Sequence, residues 1–237
     1  MTRTTKDTWK AVGWFVVTIL TAIGVYAALV GAGILPRHAK LIARGDDLEF
    51  SGYTWQILRV EDGRALLLSR DIIEQRAYND YDGEDEAVTW ETCTLRAYLN
   101  GAFYESFSTK DRARIALTRN ENPDNTWGRY EGEPLNTPGG EPTEDYIFLL
   151  SVEEILKYYP GLKPEKFKQG NAFGTLLYKA DERLTATFKG EICLWWLRSP
   201  GDNPYCAVAV SDHGQLYLCG DGVPNATGVR PALWLNL

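Results

Sequence analysis

The chain of 237 residues carries a formal charge of −7 and only two histidines. That length holds one large domain, or one domain with an appendage. With Arg3, Lys6, Lys10 and Asp7 set aside, 22 basic and 31 acidic residues remain, a formal charge of −9 with no basic stripe interleaved with aromatics; such a surface repels phosphate backbones and excludes nucleic acid as a partner.

The first predicted element is the appendage. Ala11 to Leu35 contains no charged residue, and as a helix it would span about 37 Å, enough to cross a hydrocarbon core of about 30 Å with tilt. A cleaved signal peptide is the rival, and Tyr26-Ala27-Ala28 offers small residues. Its apolar region normally runs only about 7 to 15 residues, so the sequence predicts an uncleaved transmembrane helix. Arg3, Lys6 and Lys10 before the run nearly balance Arg37, Lys40 and Arg44 after it. A tail of residues 1–10 ahead of a whole domain favours a signal-anchor: tail in the cytoplasm, single-pass span 11–35, and an extracytoplasmic domain on the cell membrane. Residues 36–47 then read as a polar stalk, and 48–237 as the domain.

Within the domain, Leu48 to Phe50 and Thr54 to Val60 alternate as strands. Asp62-Gly63 is a hairpin signal ahead of Arg64 to Ser69, and Ile72 to Ala77 suits an edge segment. The acidic stretch Asn79 to Glu86 offers hard oxygen ligands of the kind calcium uses, but counted from Asp80 it lacks the glycine at position six of an EF-hand loop; a solvated loop is the expectation, with no metal. Thr94 to Phe107 places Leu95, Tyr98, Leu99, Ala102 and Phe103 at helical spacing. Ser108 with Asp111, and Ser151 with Glu154, read as N-caps followed by an acid in the first turn. Asn120 to Glu144, rich in Asn, Pro, Gly and Glu, reads as a long loop, functional or mobile. Tyr146 to Leu150 returns as a strand, and Leu176 to Tyr178 as a short ordered piece.

The C-terminal stretch from Trp195 onward carries three of the chain's eight tryptophans. Trp195-Trp196-Leu197-Arg198-Ser199-Pro200-Gly201 and Gly228-Val229-Arg230-Pro231-Ala232-Leu233-Trp234-Leu235 are short apolar runs bounded by Pro or Gly, which predicts buried strands with Trp195, Trp196 and Trp234 in the core. Arg198 and Arg230 inside them read as structural hydrogen-bond hubs. Between the runs, Cys206 to Ser211 and Gly214 to Cys219 flank Asp212-His213 as a hairpin, so four strands of one compact antiparallel sheet are expected. If Ser211 and Gly214 close a two-residue turn, Cys206 falls opposite Cys219 in a non-hydrogen-bonded pair, a position that admits a cross-strand disulfide in an oxidising compartment.

These runs, with Thr89 to Asn100 and Asp145 to Ser151, resemble a domain-of-unknown-function family of Gram-positive bacteria and their phages, over about residues 50 to 237. That family is similar to the C-type-lectin-like fold, also seen with a similar closing Gly-x-Arg pattern in formylglycine-generating-enzyme relatives and in the variable receptors of diversity-generating retroelements. The resemblance implies an α+β domain of short antiparallel sheets and a few helices. It also implies recognition residues on the C-terminal strands and their loops, here Asp202, Asn203, Tyr205, Asp212, His213, Tyr217, Asp221 and Asn225.

No catalytic constellation stands out. His38 lies beside the predicted span, His213 sits in a predicted turn, and Ser199 lacks the Gly-x-Ser-x-Gly context of a hydrolase. The cysteine pair of the formylglycine-generating enzymes has no counterpart, no Cys-x-x-Cys spacing occurs, and Cys93 and Cys193 read as small buried hydrophobes. The sequence thus predicts a membrane-anchored module that recognises a protein or glycan and needs no cofactor. An accessory subunit of an envelope complex is the alternative, and an unrecognised enzyme a third.

Overall fold

The computed structural model describes residues 43–81, 87–126, 136–162 and 179–237, with the backbone of 129–130, 133–134, 164–166 and 176–178. The predicted tail and span, the stalk up to residue 42, and 82–86 of the acidic loop lie outside the described residues. Among those described, no helix is long and apolar enough to cross a membrane. Ala43–Leu237 is one compact unit, built of small antiparallel sheets with a few short helices.

Two five-stranded sheets dominate. The first runs Asp47–Phe50, Tyr53–Glu61, Arg64–Ser69, Ala232–Asn236, Ile115–Ala116, all antiparallel. Its central hairpin turns through Asp62 and Gly63, both at positive φ (48° and 71°), the mirror-image turn whose twist matches that of the strands. Ser51-Gly52 joins the two preceding strands by the same device, which the sequence reading had not singled out. Asp47 belongs to the outermost strand, and the Gly45 N–H donates to the Ile57 carbonyl at 2.8 Å. The C-terminal end of the expected stalk is therefore stitched to the sheet.

The second sheet runs Leu216–Gly222, Cys206–Val210, Trp195–Pro200, Thr227–Val229, Glu74–Arg76. It is not the single antiparallel sheet expected of the C-terminus. Trp195 pairs with Gly228 in parallel, and the last strand leaves for the first sheet. Pro231, which cannot donate to a ladder, stands at this crossing, where its carbonyl accepts the Ser69 N–H at 2.9 Å.

The hairpin register also differs from the two-residue-turn expectation. The Ser211 N–H donates to the Gln215 carbonyl, Val210 faces Leu216, and an irregularity between Ala207 and Ala209 shifts the ladder further. Cys206 consequently faces Gly222 rather than Cys219 in the ladder.

Thr94 to Ser106 forms one helical run in three pieces: Thr94–Tyr98, a wider π-helical Leu99–Phe103, and Tyr104–Ser106. The break is at Gly101, whose φ/ψ of −104°/−106° is non-helical. Leu95, Leu99, Phe103 and Phe107 are buried, whereas Ala102 is exposed and Tyr98 half-buried. Ser108 caps Thr109–Arg112 by accepting the Asp111 N–H. Ser151 and Glu154 form a full capping box on Val152–Tyr158.

Two expectations in the middle of the chain are corrected. Asn120 to Glu144 is not a plain loop: Thr118–Asn120 pairs with Thr143–Asp145, Asn125 bridges Thr137, and Arg129–Tyr130 pairs with Glu133–Pro134. Tyr146 to Leu150 is not a strand, since only Phe148 bridges, to Ala232. Leu176–Tyr178 is ordered, paired with Pro164–Lys166.

Trp55, Trp90, Trp195 and Trp196 have no exposed surface. Each such burial is worth about 2 to 3 kcal/mol by area, provided the indole N–H keeps a partner, because leaving it bare costs about 1 to 3 kcal/mol. Acceptors are in place: the Phe50 carbonyl for Trp55, Asp145 for Trp90, Leu184 for Trp195 and Arg76 for Trp196. Trp234, expected in the core, is only half-buried, with the Arg64 guanidinium 5.3 Å from its ring centroid.

Candidate functional site

Three polar assemblies organise the domain, and the first two are internal. Asp145, with no exposed surface, takes the Arg96 Nε–H (2.6 Å) and the Asn100 amide (3.4 Å) on one carboxylate oxygen. The other accepts from Trp90 Nε1 (3.0 Å), Asn120 (2.9 Å) and Thr143 (2.7 Å). Thr89 to Asn100 and Asp145 to Ser151 are thus parts of one knot. Its acceptor capacity is consumed inside the protein, which leaves none for a ligand. The sequence signal was an acid opening an otherwise apolar run, Asp145-Tyr146-Ile147-Phe148.

Arg198 and Arg230 occupy the second assembly. Arg198 donates through Nη1 to the Leu149 carbonyl (2.7 Å) and to the Glu154 carboxylate, and through Nη2 to the Glu121 carbonyl (3.3 Å). Arg230, buried at the crossing between the sheets, has its Nε–H on the Ser69 carbonyl at 2.8 Å and its guanidinium 4.8 Å from the Trp195 ring. Among the described residues its Nη1 and the Ser69 hydroxyl have no hydrogen-bond partner, and burial pulls its pKa down. The hydroxyl of Tyr78, itself buried, donates to the Arg198 carbonyl at 3.0 Å. Burial pushes Tyr78 well above its ordinary pKa and the neighbouring Cys93 thiol up to about 12.

The glycines of the two aromatic runs have steric reasons. A Cβ on Gly201 would stand 2.3 Å from the Cys219 carbonyl oxygen, and one on Gly228 would stand 2.4 Å from that of Leu194. Only glycine lets those backbones approach so closely.

The third assembly is the open end of the Cys206–Gly222 hairpin, and it gathers five of the eight expected recognition residues, with Tyr217 farther along the same hairpin, opposite Ala209 near the turn. Asn203 donates to Asp202 (3.0 Å) and to the Cys206 sulfur (3.2 Å), and accepts the Tyr205 N–H. Asp221 accepts from Asn225 (2.8 Å) and Thr227 (3.2 Å). Tyr205 and Tyr217 project with 45% and 41% of their surface exposed. Burial raises the Tyr217 pKa first, with Cys219, Asp202, Asp221 and Cys206 adding to it. Asp212 and His213 are at the opposite end, in the turn, where His213 Nδ1 lies 3.2 Å from Asp212 and Gly214 meets Asp181. The eight residues therefore do not form one surface. Asn125 braces the open end by donating to the carbonyls of Pro200, Gly201 and Leu218 (2.9, 2.8 and 3.2 Å), so the Asn120–Glu144 excursion and the hairpin are one piece.

Beside it lies a cleft of about 350 Å³ between the Thr118–Pro123 segment and the Val152–Tyr158 helix, with Arg198 and Trp234 in its lining. Sequence reasoning missed it, because its walls come from segments read as loop, helix and core. Ser199, the one serine weighed as a nucleophile, is buried and accepts the Val152 N–H at 3.0 Å. Among the described residues no cluster of His, Cys, Asp or Glu could hold a metal ion.

No curated protein and no solved structure matches this chain. One family model does, over residues 62–237, a span that takes in the Asp145 knot, both buried arginines and the hairpin, and by it the chain belongs to the family described as domain of unknown function DUF6273.

Proposed function

We propose that this protein is a membrane-anchored recognition module, held by residues 11–35, whose C-type-lectin-like domain faces the outside of the cell and binds a protein or glycan. One observation carries the reading: Tyr205 stands exposed among Asp202, Asn203, Asp221 and Asn225 on a hairpin end braced by the buried Asn125, and Tyr217 stands exposed on the outer strand of the same hairpin. Amphipathic rings beside adaptable polar groups on a rigid base suit recognition, since little order is lost on binding. Burial of both aromatic runs in the sheets supports the lectin-like reading of the fold.

Full-length protein in detergent, applied to a glycan array and to envelope extracts, supplies the ligand. Tyr205→Ala and Tyr217→Ala are then expected to weaken binding by about tenfold or more at an unchanged melting temperature. Asn225 is a poorer probe because it also holds Asp221. Unaltered affinity in both tyrosine variants removes the hairpin end as the site.

A further inference from the structure

The cleft between Thr118–Pro123 and the Val152–Tyr158 helix has a distinctive charge arrangement. Its lining holds three cations and three carboxylates. Arg198 is paired with Glu154, and Arg119 with Glu121 at 3.0 Å. Glu153 and Lys157 stand four apart on the helix, one turn from each other. A phosphate or sulfate would face three carboxylates as well as three cations, a lining with no net positive charge to hold it. An apolar ligand would strip water from carboxylates without replacing their hydrogen bonds.

A neutral polyhydroxylated ring meets both conditions. Its hydroxyls donate to carboxylate oxygens and accept from ammonium and guanidinium N–H groups, while its C–H face needs an aromatic wall. The half-buried Trp234 supplies that wall. Glu154 has one oxygen engaged, taking the Ser151 N–H at 2.9 Å and Arg198, and among the described residues its other oxygen has no donor. Arg198 fixes both walls at once, through the Glu121 carbonyl on one side and Glu154 on the other, so the cleft is formed before any ligand arrives.

We propose that this cleft binds a neutral saccharide, one ring stacked on Trp234 and its hydroxyls bridged between Glu153, Glu154 and Lys157. At about 350 Å³ it sits at the small end of the roughly 300 to 1,000 Å³ of small-molecule sites, which suits a terminal sugar rather than a long chain. The site shares no residue with the hairpin end and does not rest on that reading.

The test uses full-length protein in a detergent without a sugar headgroup. It is titrated with methyl glycosides of glucose, mannose, galactose and N-acetylglucosamine, and followed by saturation-transfer NMR and tryptophan fluorescence. The expected result is saturable binding of at least one glycoside with Kd near or below about 1 mM, lost in Trp234→Leu. The exposed-site variants Lys157→Met and Glu153→Gln each weaken it at least about fivefold at unchanged melting temperature, and decide the matter if Trp234→Leu does not fold. Tyr217→Ala leaves it unaltered, which separates this site from the hairpin end. The proposal is overturned if no glycoside saturates, if binding survives both exposed variants undiminished, or if glucose 6-phosphate or free glutamate binds in preference to the neutral glycosides.

Discussion

Arg96 and Asp145, 49 positions apart, meet at 2.6 Å with the carboxylate fully buried and the guanidinium about a quarter exposed. Removing the charge of a buried, multiply bonded carboxylate strands its donors, which typically costs about 3 to 5 kcal/mol. Asp145→Asn is therefore expected to lower the unfolding free energy by about 3 kcal/mol or more, measured by urea denaturation with tryptophan fluorescence. A loss under about 1 kcal/mol would show the pair to be worth no more than a surface bridge.

A second prediction concerns alkaline pH. Cys93 has its thiol pKa pushed from an ordinary 9.0 to about 12, with burial the largest cause. Above pH 9 the unfolded chain loses this proton while the folded one keeps it, so stability is complete below pH 9 and declines as pH rises toward 12. Cys93 is also the N-cap of Thr94–Tyr98, accepting the Arg96 N–H, a role serine fills well. Cys93→Ser should fold and show a shallower fall in melting temperature between pH 9 and 11 than the parent. Equal slopes would remove Cys93 from the linkage.

Thiol chemistry gives a third. Cys93 is buried with a raised pKa, Cys206 is half-buried with its pKa raised chiefly by burial, and Cys193 is the more accessible, donating only to the nearby Glu191 carbonyl. Iodoacetamide at pH 8 should label Cys193 first, Cys206 more slowly, and Cys93 only after denaturation. Peptide mass spectrometry reads the order, and early labelling of Cys93 would contradict its burial.

Arg230 yields a fourth. Its buried guanidinium lies over Trp195 and donates to Ser69, and no carboxylate pairs with it among the described residues. Lysine would keep the buried charge and lose the planar stack, whereas methionine removes the charge and keeps much of the volume. Arg230→Lys should therefore melt lower than Arg230→Met. The reverse order would mean that the positive charge itself is required there.

A fifth bears on topology. The uncharged run from Ala11 to Leu35 with a short basic tail ahead of it predicts that protease added to intact cells digests the domain and spares the first ten residues. Protection of the domain would overturn the exported placement.

Local chemistry was legible in the sequence where one residue dictates one geometry. Asp62-Gly63 turned as expected, and Ser108 and Ser151 capped their helices. The Asn120–Glu144 region was misread because its order comes from polar contacts, Asn120 and Thr143 on Asp145, Asn125 on the Pro200 carbonyl and bridged to Thr137, and polar ladders leave no apolar alternation to detect. The register that set Cys206 opposite Cys219 was misread for a different reason: the turn and the ladder irregularity each displace it, and neither has a side-chain signature. Trp234 looked like core by composition, yet its position beside the cleft depends on which neighbours cover it, a property of the assembled sheets.

The crossing at Pro231 carries a consequence for how the chain matures. Thr227–Val229 and Ala232–Asn236 are interior members of two different sheets, and the latter lies between Arg64–Ser69 and Ile115–Ala116. Both sheets therefore stay open at their middles until a segment synthesised more than a hundred residues after Ile115–Ala116 emerges from the ribosome. Such distant pairing closes slowly, so the nascent domain is held in an incomplete, threadable state for most of its synthesis. On the exported placement proposed above, that delay would leave the domain unclosed while it passes a membrane channel.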